Sequence, residues 1–348
     1  MFMASNGVAI NFIENEPTEE SCWRSIILMG KNVASYKFAL AKSLIELKDN
    51  EKTFVSLDEL AKPYAKNLCE HLKNAPKQIT SRSSKFLDTC SRFNKGEATE
   101  SELIDTTSKI GFLNVIDAFH VVNREDTPIR FFVDERTTKG GITITDDFYK
   151  LSTSNQFANL PQEVEARWKL VEIAWELNIN ANLIDVSFDL NNSSLYVLKD
   201  ELGRKDVTSA RDALNGYQKG KCFYCFDSIS IQKNSPSIGE VDHYIPHSLK
   251  NYLKNDYNLD GVWNLVLACK TCNREKHANI PDMKYLYRLN TRNNFLISSH
   301  HPLRETLIKQ TGPSDTLRGK FLNKCHNDAK EIFCGSPFNP KNEHPLAF

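Results

Sequence analysis

Four short segments in about fifty-five residues decide how this chain is read: Cys222-Phe223-Tyr224-Cys225; then Glu240-Val241-Asp242-His243-Tyr244-Ile245-Pro246; then Trp263-Asn264-Leu265-Val266-Leu267-Ala268; and last Cys269-Lys270-Thr271-Cys272-Asn273-Arg274-Glu275-Lys276. The two CxxC pairs are separated by 43 residues. Two thiolates three positions apart in a tight turn can bind one ion, and two such knuckles complete the tetrahedral shell that Zn2+ prefers, with no position left open. Cys222, Cys225, Cys269 and Cys272 therefore read as a closed structural zinc site. The chain holds nine cysteines, an odd number, and without an export signal a reduced, cytoplasmic setting is expected, in which clustered cysteines are metal ligands before they are disulfides. Cys22, Cys69, Cys90, Cys325 and Cys334 lack the pairing and read as buried thiols.

Between the knuckles, Glu240 to Pro246 ends a strand, Trp263 to Ala268 forms a second, and Cys272 to Lys276 opens a helix, a ββα arrangement pinned at its ends by zinc. With Asp-His, Asn-Leu and Cys-Asn-x-x-Lys in this order, the segment resembles the HNH endonuclease superfamily, in the branch with a four-cysteine zinc site that includes modification-dependent restriction enzymes and the HNH domains of RNA-guided nucleases. The likeness spans Cys222 to Ile280, about a sixth of the chain.

Phosphodiester hydrolysis needs a deprotonated water, in-line attack, and stabilisation of charge on the phosphate and the departing 3′ oxygen. His243 suits the general base because imidazole titrates near neutral pH. The resemblance implies that Asp242 and Asn273 bind a catalytic divalent cation, and two oxygen ligands with room for water and phosphate suit Mg2+ or Mn2+. Neighbours on an ideal strand point to opposite faces, so a local twist or bulge is expected to bring Asp242 and His243 together. Asn264 matches the family's middle asparagine, which fixes the loop and the base by hydrogen bonds. Lys276 matches the trailing lysine, a phosphate contact or a structural support. Many members carry histidine where Asn273 stands; His277, four residues on and read as sharing its helical face, is the alternative ligand. Candidate nucleic-acid contacts are His247, Lys250, Arg274 and Lys276, within a basic surround that adds Lys254, Lys270, Lys284, Arg288 and Arg292.

Working outward, 348 residues suggest two domains. Hydrophobic residues at 40% and charged residues at 25% exclude global disorder and fibrous chains, and no apolar run approaches the roughly 20 residues of a membrane span. The first sixteen residues carry no basic residue and no sustained apolar core, unlike a signal peptide. The net charge of zero conceals an asymmetry: residues 1–200 hold 23 basic and 29 acidic residues, and the remainder carries +6. The C-terminal part is the expected polyanion partner.

The first 125 residues read as helical: Ala34 to Leu47 places Tyr36, Leu40, Leu44 and Leu47 on one stripe, Ser56 and Glu59 form a capping box for a helix toward Leu72, and further helices fall near Lys85 to Phe93 and Glu102 to Val121. Ile129 to Val133 and Ile142 to Thr145, joined through Gly140-Gly141, read as a hairpin. A buried scaffold helix is expected from Pro161 to Leu177, a strand at Leu195 to Leu198 and a helix near Thr208 to Leu214.

The expected fold class is α+β: a mainly helical recognition or regulatory region over 1–200, an HNH nuclease domain over 201–334, and an irregular tail over 335–348. The implied function is metal-dependent cleavage of double-stranded DNA by a prokaryotic restriction or antiphage-defence effector, with a regulatory protein partner or self-association and no membrane. The alternatives are a non-catalytic zinc-stabilised DNA-binding protein and an HNH nuclease acting on RNA.

Overall fold

The structure, a computed structural model, describes residues 12–13, 17–30, 32–48, 52–81, 83–176, 186–199, 203–299, 303–333 and 335–348. It mixes helices and strands and divides into two compact units, one over Pro17–Asn178 and one over Ile179–Phe348, to which Phe12 and Ile13 also belong.

The N-terminal unit is built on helices α1 (Glu19–Leu28), α2 (Tyr36–Leu47), α3 (Leu57–Asn74), α4 (Lys85–Asn94), α5 (Glu100–Thr106) and α6 (Leu160–Glu176). The expected capping box is formed: Ser56 accepts from the Glu59 backbone and Glu59 reaches back to Ser56, while Pro63 is accommodated inside α3. The helix expected from Glu102 to Val121 is broken. After α5 the chain widens into a π-turn over Thr107–Gly111 and resumes only at Val115–Ala118, and Gly111, the poorest helix former after proline, sits at the break.

The hairpin forms as β2 (Phe132–Glu135) against β3 (Gly141–Ile144), and β3 also pairs with β1 (Phe54–Ser56). Gly141 is required there, because a Cβ would lie 2.2 Å from the Val55 carbonyl oxygen. The core holds Trp23 among Phe119, Phe131 and Phe148. It also buries two clusters of ionisable side chains: Arg24 donates through Nε and Nη2 to both carboxylate oxygens of Glu163, each at 2.8 Å, and His71 lies 3.4 Å over the Trp168 ring while facing Glu172 at 2.7 Å and Glu165 at 3.2 Å. Trp168 is thus a core residue stacked on an imidazole.

The C-terminal unit opens with an antiparallel sheet, β4 (Val186–Asp189), β5 (Ser194–Lys199) and β6 (Gly203–Ser209), in the order β4-β5-β6. The boundary expected at residue 200 falls between two paired strands of this sheet. Short α7 (Ala210–Asn215) leads to the first knuckle; β7 (Glu240–His243), β8 (Leu265–Ala268) and α8 (Lys270–Lys276) follow, then α9 (Met283–Ser298), α10 (Leu303–Thr311) and α11 (Asp315–Ile332).

Residues 335–348 contain no helix or strand yet are docked. Phe338 exchanges backbone hydrogen bonds with Ile280 and Asp282, the Ala347 carbonyl accepts from Lys219 Nζ at 2.6 Å, and Phe348 is buried against Phe226. No helix among the described residues is long and apolar enough to cross a membrane.

Candidate active site and zinc centre

Strands β7 and β8 pair antiparallel, with Asp242 opposite Val266 and His243 opposite Leu265. The outer edge of β8 is closed by Gln218, whose side chain donates to the Leu267 carbonyl and accepts from its N–H, both at 2.9 Å, while the Phe223 N–H reaches the same carbonyl at 2.8 Å. That clamp docks the first knuckle on the strand leading into the second.

The four cysteine sulfurs lie within 4.8 Å of one another, and Cys225 and Cys269 are 3.8 Å apart. Tetrahedral Zn–S bonds of about 2.3 Å place sulfurs roughly 3.8 Å apart, so the set fits zinc. Cys269 is also the N-cap of α8, its sulfur accepting from the Cys272 N–H at 3.4 Å. Hydrogen bonds from Cys222, Cys225 and Cys272 pull the Cys269 thiol down, favouring a thiolate in the cluster. Arg288 secures the first knuckle: it donates to the Phe223 and Tyr224 carbonyls at 2.6 and 2.8 Å and lies 3.9 Å over the Phe226 ring. From the tail, the His344 N–H donates to the Cys225 carbonyl at 2.8 Å.

The Asp242 and His243 side chains face different partners, while Lys276 bonds the Asp242 carboxylate and the His243 carbonyl. The β7–β8 register is unbroken through His243, so the expected bulge is not present. Asp242 is 8% exposed; its Oδ2 accepts from the Tyr224 hydroxyl at 2.7 Å and its Oδ1 from Lys276 Nζ at 3.1 Å. Tyr224 is buried, and burial followed by the adjacent Asp242 charge raises its phenol well above the usual value, keeping it a donor. Lys276 also donates to the His243 carbonyl at 2.8 Å. Two residues before Asp242, Glu240 accepts from Asn273 Nδ2 at 2.7 Å. This side of the site thus offers two carboxylates and an amide, hard oxygen donors of the kind Mg2+ and Mn2+ take, with the Lys276 ammonium already beside Asp242.

His243 is 5% exposed and meets Asp260 Oδ1 through Nε2 at 3.5 Å. His247 Nε2 stands 3.3 Å from the same oxygen, and Lys250 pairs with Asp260 Oδ2. Phe188 of β4 packs edge to face on the His243 ring at 5.7 Å. The His243 and Lys250 neighbours hold the Asp260 carboxyl at about 2 against the opposing effect of burial. Burial lowers the His247 imidazole. Asn264, fully buried, accepts from the Ile245 N–H at 2.7 Å and donates to the Ile245 and Leu259 carbonyls at 3.0 and 2.9 Å, tying the segment after His243 to the loop carrying Asp260.

His277 lies beyond the end of α8 with φ +47°, exposed, so it does not share a helical face with Asn273. Lys276 is only 1% exposed, and Arg274 is exposed. Two of the surrounding basic residues are turned inward: Arg288 grips the knuckle, and Arg292 is fully buried, with burial lowering its guanidinium to about 9. Lys284 pairs with Glu343. Tyr224, Glu240, Asp260 and Phe188 escaped the sequence reading. Glu240 carried the one available signal, an acidic residue two positions before Asp242 on the same strand face.

No curated protein and no solved structure matches the chain. Residues 222–279 match the family model described as HNH endonuclease, which takes in both cysteine knuckles, β7, β8 and α8, so the C-terminal unit carries an HNH endonuclease domain.

Proposed function

We propose that the protein is a metal-dependent HNH endonuclease that hydrolyses phosphodiester bonds in double-stranded DNA and serves as a prokaryotic restriction or antiphage-defence effector. The observation that carries the reading is the match of residues 222–279 to the HNH endonuclease model, a segment that holds Asp242 and His243 on β7, Asn264 just before β8 and Asn273 on α8, together with four clustered cysteines. Zinc at Cys222, Cys225, Cys269 and Cys272 fixes this frame in the ββα-metal manner. Mg2+ or Mn2+ would be held by Asp242 and Asn273, and when bound supplies charge stabilisation to the phosphate and the departing oxygen.

The residues of the chain do the rest. His243 takes the proton of the attacking water. Asn264 ties the backbone after the base to the loop that carries Asp260. Buried Lys276 serves as a support, bracing Asp242 and the His243 carbonyl, and His247, Lys250 and Arg274 are left for phosphate contact. The N-terminal unit recognises a target or partner, or restrains the nuclease; residues 17–178 hold 22 basic and 24 acidic residues, and without a basic surplus a regulatory protein partner or self-association is favoured over a second grip on DNA.

One observation favours a second reading, a zinc-stabilised DNA-binding protein without catalysis: both Asp242 oxygens already have protein donors. Incubating the purified protein with supercoiled plasmid, linear duplex, single strands and RNA, with and without divalent metal, separates the two. Metal-dependent cutting of duplex supports the nuclease, cutting of RNA alone moves the substrate, and binding without cutting on any substrate leaves the second reading.

A further inference from the structure

The proposed reaction needs a base whose ring is fixed, and the structure surrounds His243 with such a fixture. The His243 backbone is held by its pairing with Leu265 and by Lys276, and the ring is braced by Phe188. Its Nε2 and the Asp260 Oδ1 are both buried and face each other at 3.5 Å, with His247 Nε2 3.3 Å from the same oxygen, and neither buried atom is in a formed hydrogen bond. Two complementary buried polar atoms left unpaired at this separation are costly unless they close on each other. Hydrogen bonds between a catalytic base and its orienting group are commonly long before substrate binds and tighten afterwards.

Asp260 also stands on a rigid platform. Its neighbour Leu259 is bonded by Asn264. The Gly261 N–H donates to the Asn258 carbonyl at 3.0 Å, its carbonyl accepts from Asn264 N–H at 2.9 Å, and Gly261 bridges to Ser187 of β4. Glycine is needed at 261, because a Cβ would lie 2.7 Å from Trp263 Cδ1 and from Gln310 Oε1. The same asparagine that anchors the segment after His243 therefore anchors the loop that presents Asp260.

We infer that Asp260 is the positioning residue of the general base, accepting a hydrogen bond from His243 Nε2 so that Nδ1 faces the attacking water. The water's proton passes to Nδ1, and the Asp260 carboxylate offsets the imidazolium charge that results. This rests on the nuclease reading of His243 and adds a residue outside the Asp-His, Asn and Asn-x-x-Lys pattern. Lys250 pairs with the other carboxylate oxygen and His247 stands beside the one that faces the base, so the carboxylate is held in place.

The test is steady-state cleavage of duplex DNA by the full chain with Mg2+ or Mn2+, comparing wild type, His243→Ala, Asp260→Asn and Asp260→Glu, with zinc content and thermal melting of each. Asp260→Asn should keep zinc and melting behaviour and lower kcat by about 10- to 100-fold with KM for DNA within about 2-fold; Asp260→Glu should recover part of the loss. A kcat for Asp260→Asn equal to wild type while His243→Ala is inactive overturns the positioning role alone, as does a loss confined to KM. If Asp260→Asn fails to fold, Asp260→Ser decides: a melting point and KM near wild type with reduced kcat supports the role, and unchanged kcat overturns it. Wild type that does not cut, or His243→Ala that cuts at full rate, overturns the nuclease reading and this inference with it.

Discussion

The Lys276 ammonium lies 3.1 Å from Asp242 Oδ1 and 2.8 Å from the His243 carbonyl, so one buried lysine of α8 spans both members of the Asp-His pair on β7. Helix and strand are joined here by an ion pair almost out of solvent, with side chains 1% and 9% exposed. Removing one partner of such a pair strands the other charge at low dielectric, which typically costs about 3–5 kcal/mol. Lys276→Met should therefore lower the unfolding free energy of the C-terminal unit by about 3–5 kcal/mol. A loss below about 1 kcal/mol in chemical denaturation would show that solvent or another donor already satisfies Asp242.

The base itself is testable without ambiguity about folding, because His243 makes no hydrogen bond through Nε2 that holds the sheet together. His243→Ala should reduce cleavage by about 100-fold or more while zinc content and DNA binding stay near wild type. Undiminished cleavage would remove His243 from the mechanism.

Metal content should separate into two classes. About one zinc per chain should survive mild chelation, and Cys222→Ser or Cys269→Ser should lower solubility or melting temperature, since four ligands within 4.8 Å couple metal binding to folding. Mg2+ or Mn2+ should be needed in the cleavage assay and be lost on the same chelation. Absence of zinc by elemental analysis, or full activity in chelator, contradicts the assignment.

What was legible in the sequence depended on how local its physics is. The Ser56/Glu59 box and the stripe through Leu40 and Leu44 are decided within one or two helical turns, and both formed as read. The cysteine knuckles are legible across 43 residues because metal geometry leaves few alternatives for two CxxC pairs. Asp260 and Phe188 were not legible. Their roles exist only because a loop 17 residues after His243 and a strand 55 residues before it converge on one ring, and nothing local marks either residue. Strand β6, Gly203–Ser209, was missed because Arg204, Lys205 and Asp206 obscure alternation. Residues 335–348 carry no helix or strand, and their docking depends on partners such as Ile280 and Lys219 more than fifty residues away, which no local pattern marks.

Stability of the N-terminal unit should depend on pH through His71. Burial lowers its imidazole, but hydrogen bonds and charge from Glu165 and Glu172 outweigh that, and the net shift is upward from 6.5. The stabilisation is then complete below about pH 6.5 and is lost as pH rises through the higher folded value. Glu165 is opposed by burial yet lowered overall by His71 and Lys42, so its contribution is present above its ordinary value of 4.5 and lost as pH falls. Melting temperature should peak between these limits, and His71→Gln should flatten the decline that sets in above about pH 6.5. An equal decline in the variant would assign the dependence to other groups.

The last prediction concerns where the nuclease begins. Residues 17–178 carry no basic surplus, 22 basic against 24 acidic residues, and the matched segment lies wholly at 222–279, so the N-terminal unit is expected to govern when and where cutting occurs and not to perform it. The sheet β4-β5-β6 belongs to the C-terminal unit, and two of its strands precede residue 200. β4 supplies Phe188 to the His243 ring and Ser187 to the bridge with Gly261, while Val186, Phe188, Leu195 and Val197 are buried. A chain shortened to start at Ile179 should fold, bind zinc and retain metal-dependent cutting, with relaxed selectivity. One starting at Asp200 should still bind zinc through its four cysteines, but without β4 and β5 it should melt at lower temperature and cut about 10-fold or more slowly, because the ring and the Asp260 loop lose their brace. Equal cutting by both would show that the sheet is dispensable to the site. A fragment from Ile179 that folds and binds zinc but cannot cut, beside a full chain that does, would mean that the N-terminal unit contributes to the active site or to substrate placement.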